Sequence, residues 1–386
     1  MTTRKSVLEA VRALVPFIQA KGPETEAART LPADVLAQLR TAGVFRMSVP
    51  RELGGEEVDL LTAMEVLETI SRADGSIGWT AMLASEAPHL FALLETSVFR
   101  DIYGKGPDVV LAGAFSAQGE ARIVPGGYRI TGRWSFATGS QHCHWMMANC
   151  VLLQDGKPMP GPIPGLPASR AMLFPAQQGR VLDNWHVLGL RGTGSHDFTA
   201  EDLFVPQEYT LDIFTGAPKW PGPLYVTPVP QFALHMGAVA VGIAQGAIDD
   251  LVAYARAGKK RLYASSTMAE SQLFRHKLGR AEATLRAVRA MVRTEAELLW
   301  TTATKAPEAA PALMPRIMST LTWVAETAAQ VVDTCYMAMG GNAARDSAPM
   351  QRRFRDIHTF AQHGAAADSW YVESGGVLLG KPDGGA

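Results

Sequence analysis

The sequence predicts an α+β fold in three parts: an N-terminal helical domain over 1–108, a central β domain over 109–220, and a C-terminal four-helix bundle over 221–386. Three observations predict it. Apolar residues recur at three- and four-residue steps up to about Asp108, the period falls to two from Val109, and four long helical-period segments follow the proline-rich stretch 221–230. The first period marks one face of a helix and the second one face of a strand.

In the first domain, residues 1–19 form an amphipathic helix with Leu8, Val11, Leu14, Val15 and Ile18 on its apolar side. They lack the continuous apolar centre and cleavage site of a signal peptide. Pro32-Ala33-Asp34 opens a second helix with Val35, Leu36 and Leu39, and Gly43 stops it, because glycine takes the left-handed conformation of a helix end. Pro50 to Gly55 is a turn. A helix over 60–71 follows, and Asp74-Gly75-Ser76 precedes a long apolar helix carrying Trp79, Met82 and His89.

Strands are expected at 109–116, 121–124, 128–136, 144–153, 170–174, 180–185 and 196–204, with a tight turn at Pro125-Gly126-Gly127 and a surface loop over 157–167. The bundle helices cover 237–257, 271–304, 311–339 and 349 to about 379. In the last, Pro349 suits a first turn and Ser347 a cap. Asp356, Thr359, Phe360 and His363 then share one face, which is polar for a core face.

The chain is 47% hydrophobic and 19% charged, enough apolar residue for a substantial core, and its net charge of −1 offers no basic surface to nucleic acid. Cys143, Cys150 and Cys335 form neither a CxxC pair nor a disulfide framework, so a reducing, cytoplasmic setting is expected. His142 and His144 flank Cys143, but alternation in a strand puts only the two histidines on one face, and no metal is expected. No continuous apolar run reaches the ~18 residues of a membrane span, so no membrane association is expected.

The order helices, β domain, bundle occurs with a set of short motifs. They are Pro50 with Gly54-Gly55, Asp74-Gly75-Ser76, Trp134 to Gly139, Gly189-Leu190-Arg191-Gly192-Thr193-Gly194-Ser195, Gly242-Ile243-Ala244, and Gly340-Gly341 ahead of Gln351-Arg352 and Arg355-Asp356. Each is weak alone. In this order and spacing they resemble the acyl-CoA dehydrogenase superfamily over nearly the whole chain. Aligned on Arg355-Asp356, the dehydrogenase base falls on Gly364; an alternative base position lies near Phe232, and Asp212 is the only acid between Glu208 and Asp249. With neither base visible, the chain resembles the two-component flavin-dependent monooxygenase branch, in which a histidine at the place of His363 serves the flavin hydroperoxide.

That resemblance implies an enzyme using reduced FMN or FAD and O2 to hydroxylate an aromatic or heteroaromatic substrate through a C4a-hydroperoxyflavin. A separate NAD(P)H:flavin reductase would supply the flavin. The rivals are an acyl-CoA dehydrogenase with a displaced base and a flavin-free binding protein that kept the fold. The resemblance also implies that Trp134, Phe136, Thr138 and Gly139 lie along the isoalloxazine, with Thr138 near its reactive nitrogen; a strand ending in a capped turn is the structural alternative. The loop with Arg191 is neither a Rossmann nor a Walker motif. It nears the flavin by resemblance and is otherwise a β-turn.

Gly340 and Gly341 would meet a flavin held mainly by a neighbouring subunit, which implies a homotetramer. A helix over 311–339 apolar on two sides, Val324, Ala328, Val331, Val332 and Cys335 on one and Ala325 and Ala329 on another, suits burial between subunits. By the same resemblance Arg355 is expected to contact the cofactor, and Asp356 either holds it or orients His363. Arg275 and Arg353 suit flavin phosphates or the surface. His363, His89 and Thr138 form the expected catalytic set, since an imidazole near a forming peroxide stabilises its charge and supplies a proton. Core or helix-end roles remain open for both histidines. His235 departs from the family's apolar or small residue: it contacts substrate or is a satisfied core histidine.

Overall fold

The computed structural model describes residues 6–162, 165–260 and 265–380. Helix α1 (Val7–Ala28) starts at Ser6, whose hydroxyl accepts from the Glu9 N–H in a capping box. Helix α2 (Ala33–Ala42) stops at Gly43, φ +87°. Asp59 caps α3 (Leu60–Ala73) and Asp74 caps α4 (Gly75–Ser85), each accepting a backbone N–H with its carboxylate. The helix expected to run through His89 is interrupted at Glu86. Pro88 has no N–H to continue the ladder and sits instead in the first turn of α5 (Ala87–Phe91). Helix α6 (Thr96–Tyr103) leads to the sheet.

The sheet comprises β1 (Leu111–Val124), β2 (Gly127–Ala137), β3 (Trp145–Gln154), β4 (Lys157–Pro158), β5 (Ser169–Pro175), β6 (Arg180–Val181), β7 (His196–Pro206) and β8 (Thr210–Leu211). Their order is β6-β7-β2-β1-β3-β5-β8, with β4 on β3. The β1–β3 pair is parallel and the others antiparallel. The two strands expected over 109–124 are one strand with a register shift between Ala114 and Gly119. Gly119 makes room for Trp134, whose ring would lie 2.1 Å from an added Cβ. The strand expected over 180–185 shrinks to β6.

The bundle contains α7 (Pro228–Arg256), α8 (Gln272–Lys305), α9 (Met314–Met339) and α10 (Pro349–Phe360). Pro228 and Pro230 lie in the first turn of α7, where proline is tolerated, so the expected connector already belongs to the helix. By length and composition α7 is apolar enough to cross a membrane, but 72% of its most apolar window is buried inside the protein. The last expected helix is two. After α10 comes a short 3-10 turn, Gly364–Ala366, and then α11 (Ser369–Leu378). Ser347 does not cap α10: the cap position is Ala348 and no side chain serves it.

One apolar core joins α1 to α4 with α7 to α10, and two smaller ones lie around α5 and α6 and within the sheet. Both apolar sides of α9, Val324, Ala328, Val331, Val332 and Cys335 with Ala325 and Ala329, are buried within the protomer. This corrects the expectation that its two-sided apolarity calls for a neighbouring subunit: α7, α8, α10 and α11 all pack on it.

Candidate active site

Helix α4, the end of β2, the 189–195 loop and the α10–α11 junction meet at a cleft. Trp79 Nε1–H donates to Thr138 Oγ1 at 3.3 Å. Thr138 Oγ1 lies 2.6 Å from Ser195 Oγ, which lies 2.7 Å from Thr193 Oγ1, and Thr193 donates to the Leu190 carbonyl at 2.8 Å. The ends fix the direction. A carbonyl only accepts and an indole N–H only donates, so each hydroxyl passes its proton toward Leu190. Thr138 therefore keeps a lone pair, not a proton, for a ligand.

The His363 ring packs on Trp79 at 5.5 Å between centroids and lies 6.3 Å from Phe232. Its Nδ1 accepts from the Ala365 N–H at 3.1 Å. The neutral ring thus carries its proton on Nε2, the nitrogen left for a ligand. Burial of the ring among these side chains pushes its pKa down to about 4, although the residue as a whole keeps contact with solvent. The depressed direction follows from the side on which Trp79 and Phe232 crowd the ring.

Asp356 does not reach this ring. Its Oδ1 accepts from Leu190 N–H at 2.6 Å. Burial and then the Asp74 charge push its carboxyl up to about 7, against Arg352 and Arg355. The expectation that Asp356 orients or charges His363 is corrected: α10 ends at Phe360, so the two residues do not continue one helical face.

Phe136 has φ +67° and is 68% exposed, edge-on to Trp185 at 6.1 Å. Trp134 is fully buried instead, stacked on Phe198 at 5.2 Å with Nε1–H donating to the Asn149 carbonyl. This corrects its expected place at the cofactor, since strand alternation turns it into the sheet's own core. Gly139, φ +71°, donates its N–H to the Thr193 carbonyl at 3.0 Å. Gly340, Gly341 and Gly364 border open space, with nothing within 4 Å of an added Cβ.

Arg191 and Arg355 both turn to Glu26 on α1, at 3.7 and 2.6 Å, and each donates to a loop carbonyl, of Val187 and Leu188. Arg353 is buried against Asp250 at 2.5 Å, and Arg275 donates to the Ala269 carbonyl. The buried pair with Asp250 corrects the phosphate alternative for Arg353, while Arg275 lies exposed, as its surface alternative has it.

His89 is buried beyond the cleft. Its Nδ1 bonds the Leu224 carbonyl at 2.9 Å, Gln231 approaches its Nε2 at 3.0 Å, and burial lowers its pKa. His235, also buried, bonds Glu86 through Nδ1. Burial raises the Glu86 carboxyl, but the attraction and hydrogen bond of His235 outweigh it and hold the pKa below its ordinary value. Glu86 and Gln231 were missed from the sequence. The available signal for Gln231 was a Gln and a His one turn apart in the otherwise apolar first half of α7. A charged groove of about 810 Å³ between α1, α3, α7 and α8 contains none of these groups.

An isoalloxazine needs an aromatic wall, polar atoms at its edge, and room beside the backbone. Phe136 and Trp79, the Thr138 lone pair and the open glycines fit those needs. A family model for the acyl-CoA dehydrogenase N-terminal domain matches residues 3–92, and one for the C-terminal domain matches 234–368. The chain is 31% identical to the indole-3-acetate monooxygenase of Pseudomonas putida over 93% of its own length and 90% of that protein's. The chain belongs to the acyl-CoA dehydrogenase superfamily. Within it, this oxidoreductase belongs to the two-component flavin-dependent monooxygenases. The crystal structure of a 3-HSA hydroxylase from Rhodococcus sp. RHA1 superposes with a TM-score of 0.90 at 25% identity, covering 98% of both chains. XiaF from a Streptomyces species, solved with FADH2 and glycerol, gives 0.89 at 26%, covering 97% of this chain and 95% of that one.

Proposed function

We propose that this protein is the oxygenase component of a two-component system that hydroxylates a small aromatic or heteroaromatic substrate. When bound, reduced FMN or FAD from a separate NAD(P)H:flavin reductase would supply the oxygen-activating chemistry. The chain's own groups do the rest. Phe136 and Trp79 would wall the ring, Thr138 would offer its lone pair to a ring N–H, and His363 would hold its Nε2 proton toward the bound group. Apolar neighbours exclude water from the crowded side of that imidazole.

The observation that carries this reading is the tautomer of His363, whose Nδ1 is occupied by the Ala365 N–H. A proton donor stands beside Gly364, where a dehydrogenase would place its carboxylate. Monooxygenase relatives named for indole-3-acetate and resorcinol support an aromatic substrate. The test mixes the protein with reduced FMN or FAD anaerobically, adds O2, and measures hydroxylated product per flavin oxidised. Bleaching of oxidised flavin by a CoA thioester without O2 would instead favour a dehydrogenase.

A homotetramer in the cytoplasm is part of the proposal. Its supports are the open space around Gly340 and Gly341, the exposed Met337, Leu378 and Leu379, and three unpaired cysteines.

A further inference from the structure

Three ligand-type side chains, Glu86, His89 and His235, converge in the interior, with their donor atoms within 4.8 Å of one another. Glu86 ends α4, His89 sits on α5, and His235 lies on α7. Two of them are already paired: the His235 Nδ1–H donates to the Glu86 carboxylate. A direct hydrogen bond between two would-be ligands puts a proton where an ion would have to lie. His89 is likewise occupied, by the Leu224 carbonyl and by Gln231. What remains is one atom, His235 Nε2, which is buried and has no hydrogen-bond partner.

A buried polar atom without a partner costs about 1–3 kcal/mol, and such atoms are few in native proteins. The position of this one suggests its partner. Phe232 lies three residues before His235, on the same face of α7, and its ring is 6.3 Å from His363. His235 therefore sits one helical turn deeper than the residue that borders the cleft. A carboxylate behind one imidazole nitrogen, with the other nitrogen free, is the arrangement by which proteins orient a proton-accepting imidazole.

We propose that the Glu86–His235 pair anchors the substrate by its phenolic hydroxyl, with His235 Nε2 as the acceptor. This rests on the aromatic-monooxygenase reading above. In the step it allows, the phenol O–H bond breaks and an Nε2–H bond forms. The electron pair stays on oxygen, and the Glu86 carboxylate balances the imidazolium. The resulting aryl oxide is richer in electrons than the phenol and more readily takes up an electrophilic oxygen atom. Substrates without the hydroxyl leave Nε2 unpaired and bind less well.

The experiment uses the full-length protein with 4-nitrophenol and its methyl ether 4-nitroanisole, which replaces the O–H by O–CH3. The wild type is expected to bind the phenol at least ~10-fold more tightly, the equivalent of one charge-assisted hydrogen bond. The bound probe should show the yellow phenolate band at a pH below its solution pKa. His235→Asn keeps a polar atom toward Glu86 but removes Nε2, and should abolish the preference. Glu86→Gln should retain binding and lose the yellow band. His235→Phe serves as a second variant, and circular dichroism establishes that each is folded. Equal affinity for the two probes in the wild type, or a preference that survives both His235 variants, overturns the proposal. Hydroxylated product per reduced flavin is measured separately, because free reduced flavin consumes O2 unaided: absence of product with every aromatic probe refutes the monooxygenase reading, whereas product formed without probe discrimination refutes only the anchoring role.

Discussion

Trp79 on α4 and Thr138 at the end of β2 are joined across the cleft, the indole N–H donating to the threonine hydroxyl at 3.3 Å. The bond fixes the helical domain against the sheet at the point where the 189–195 loop also arrives. It also sets the direction of every hydroxyl proton between Thr138 and the Leu190 carbonyl.

Trp79→Phe should keep an aromatic ring against His363 and Phe360 while removing that donor. A lost buried hydrogen bond of this kind costs about 0.5–1.5 kcal/mol, read as a shift in urea midpoint at unchanged slope. Reduced flavin should also bind more weakly, because Thr138 is freed to rotate. Unchanged flavin affinity would mean that the bond does not organise the site.

Asp356 gives a pH signature. Burial and the Asp74 charge raise its carboxyl from 3.8 to about 7. The folded protein then holds a proton that the unfolded chain releases across that window. Its contribution to stability is full below the unfolded value and is lost as pH rises toward 7. Asp356→Asn keeps an oxygen to accept from Leu190 N–H but cannot ionise. The melting-temperature difference in favour of the variant should grow from about pH 4 to about pH 7 and level off above. A difference independent of pH in calorimetry at fixed ionic strength would contradict the shift.

Two glycines predict opposite effects in helices. An added Cβ at Gly246 would lie 2.1 Å from Arg353 Nη1, within the Arg353–Asp250 pair, whereas Gly279 on α8 meets nothing within 4 Å. Gly246→Ala should destabilise by about 1–3 kcal/mol through overpacking. Gly279→Ala should stabilise by up to about 1 kcal/mol through helix propensity. Urea denaturation of the pair checks both signs.

Assembly is testable by light scattering, where a mass four times that of the chain is expected at micromolar concentration. Gly341→Trp would fill the open space beside the glycine pair. It should weaken flavin binding and leave the fold intact, as judged by circular dichroism. A monomeric mass for the wild type contradicts the proposed assembly.

The sequence made the large elements readable because their periods are strong: α2, α3, α8, α9, β2 and β7 lie close to their expected spans. It misjudged elements where a single residue decides. Pro88 splits the helix that carries Trp79 from the one that carries His89, and the last helix ends at Phe360 before His363 caps its own short turn. Pattern alone also cannot tell which aromatic of a strand faces a cleft. Trp134 and Phe136 stand two apart and are both expected at the cofactor, but the positive φ of Phe136 parts them, leaving Trp134 in the core and Phe136 exposed. The Glu86–His235 contact joins residues 149 apart in sequence, and no local signal announces such a pair.

The most direct test of the account is product formed per reduced flavin consumed, in His363→Ala against wild type, by rapid mixing with O2. Loss of one general acid–base group typically costs about 10²–10⁴ in rate. The variant should bind reduced flavin as the wild type does, form little product, and release the reducing equivalents as hydrogen peroxide. Because burial holds the imidazole pKa at about 4, its Nε2 proton is present throughout neutral pH. Wild-type coupling should accordingly show no step from this group across roughly pH 5–8. Coupling in His363→Ala equal to that of the wild type would contradict the central claim.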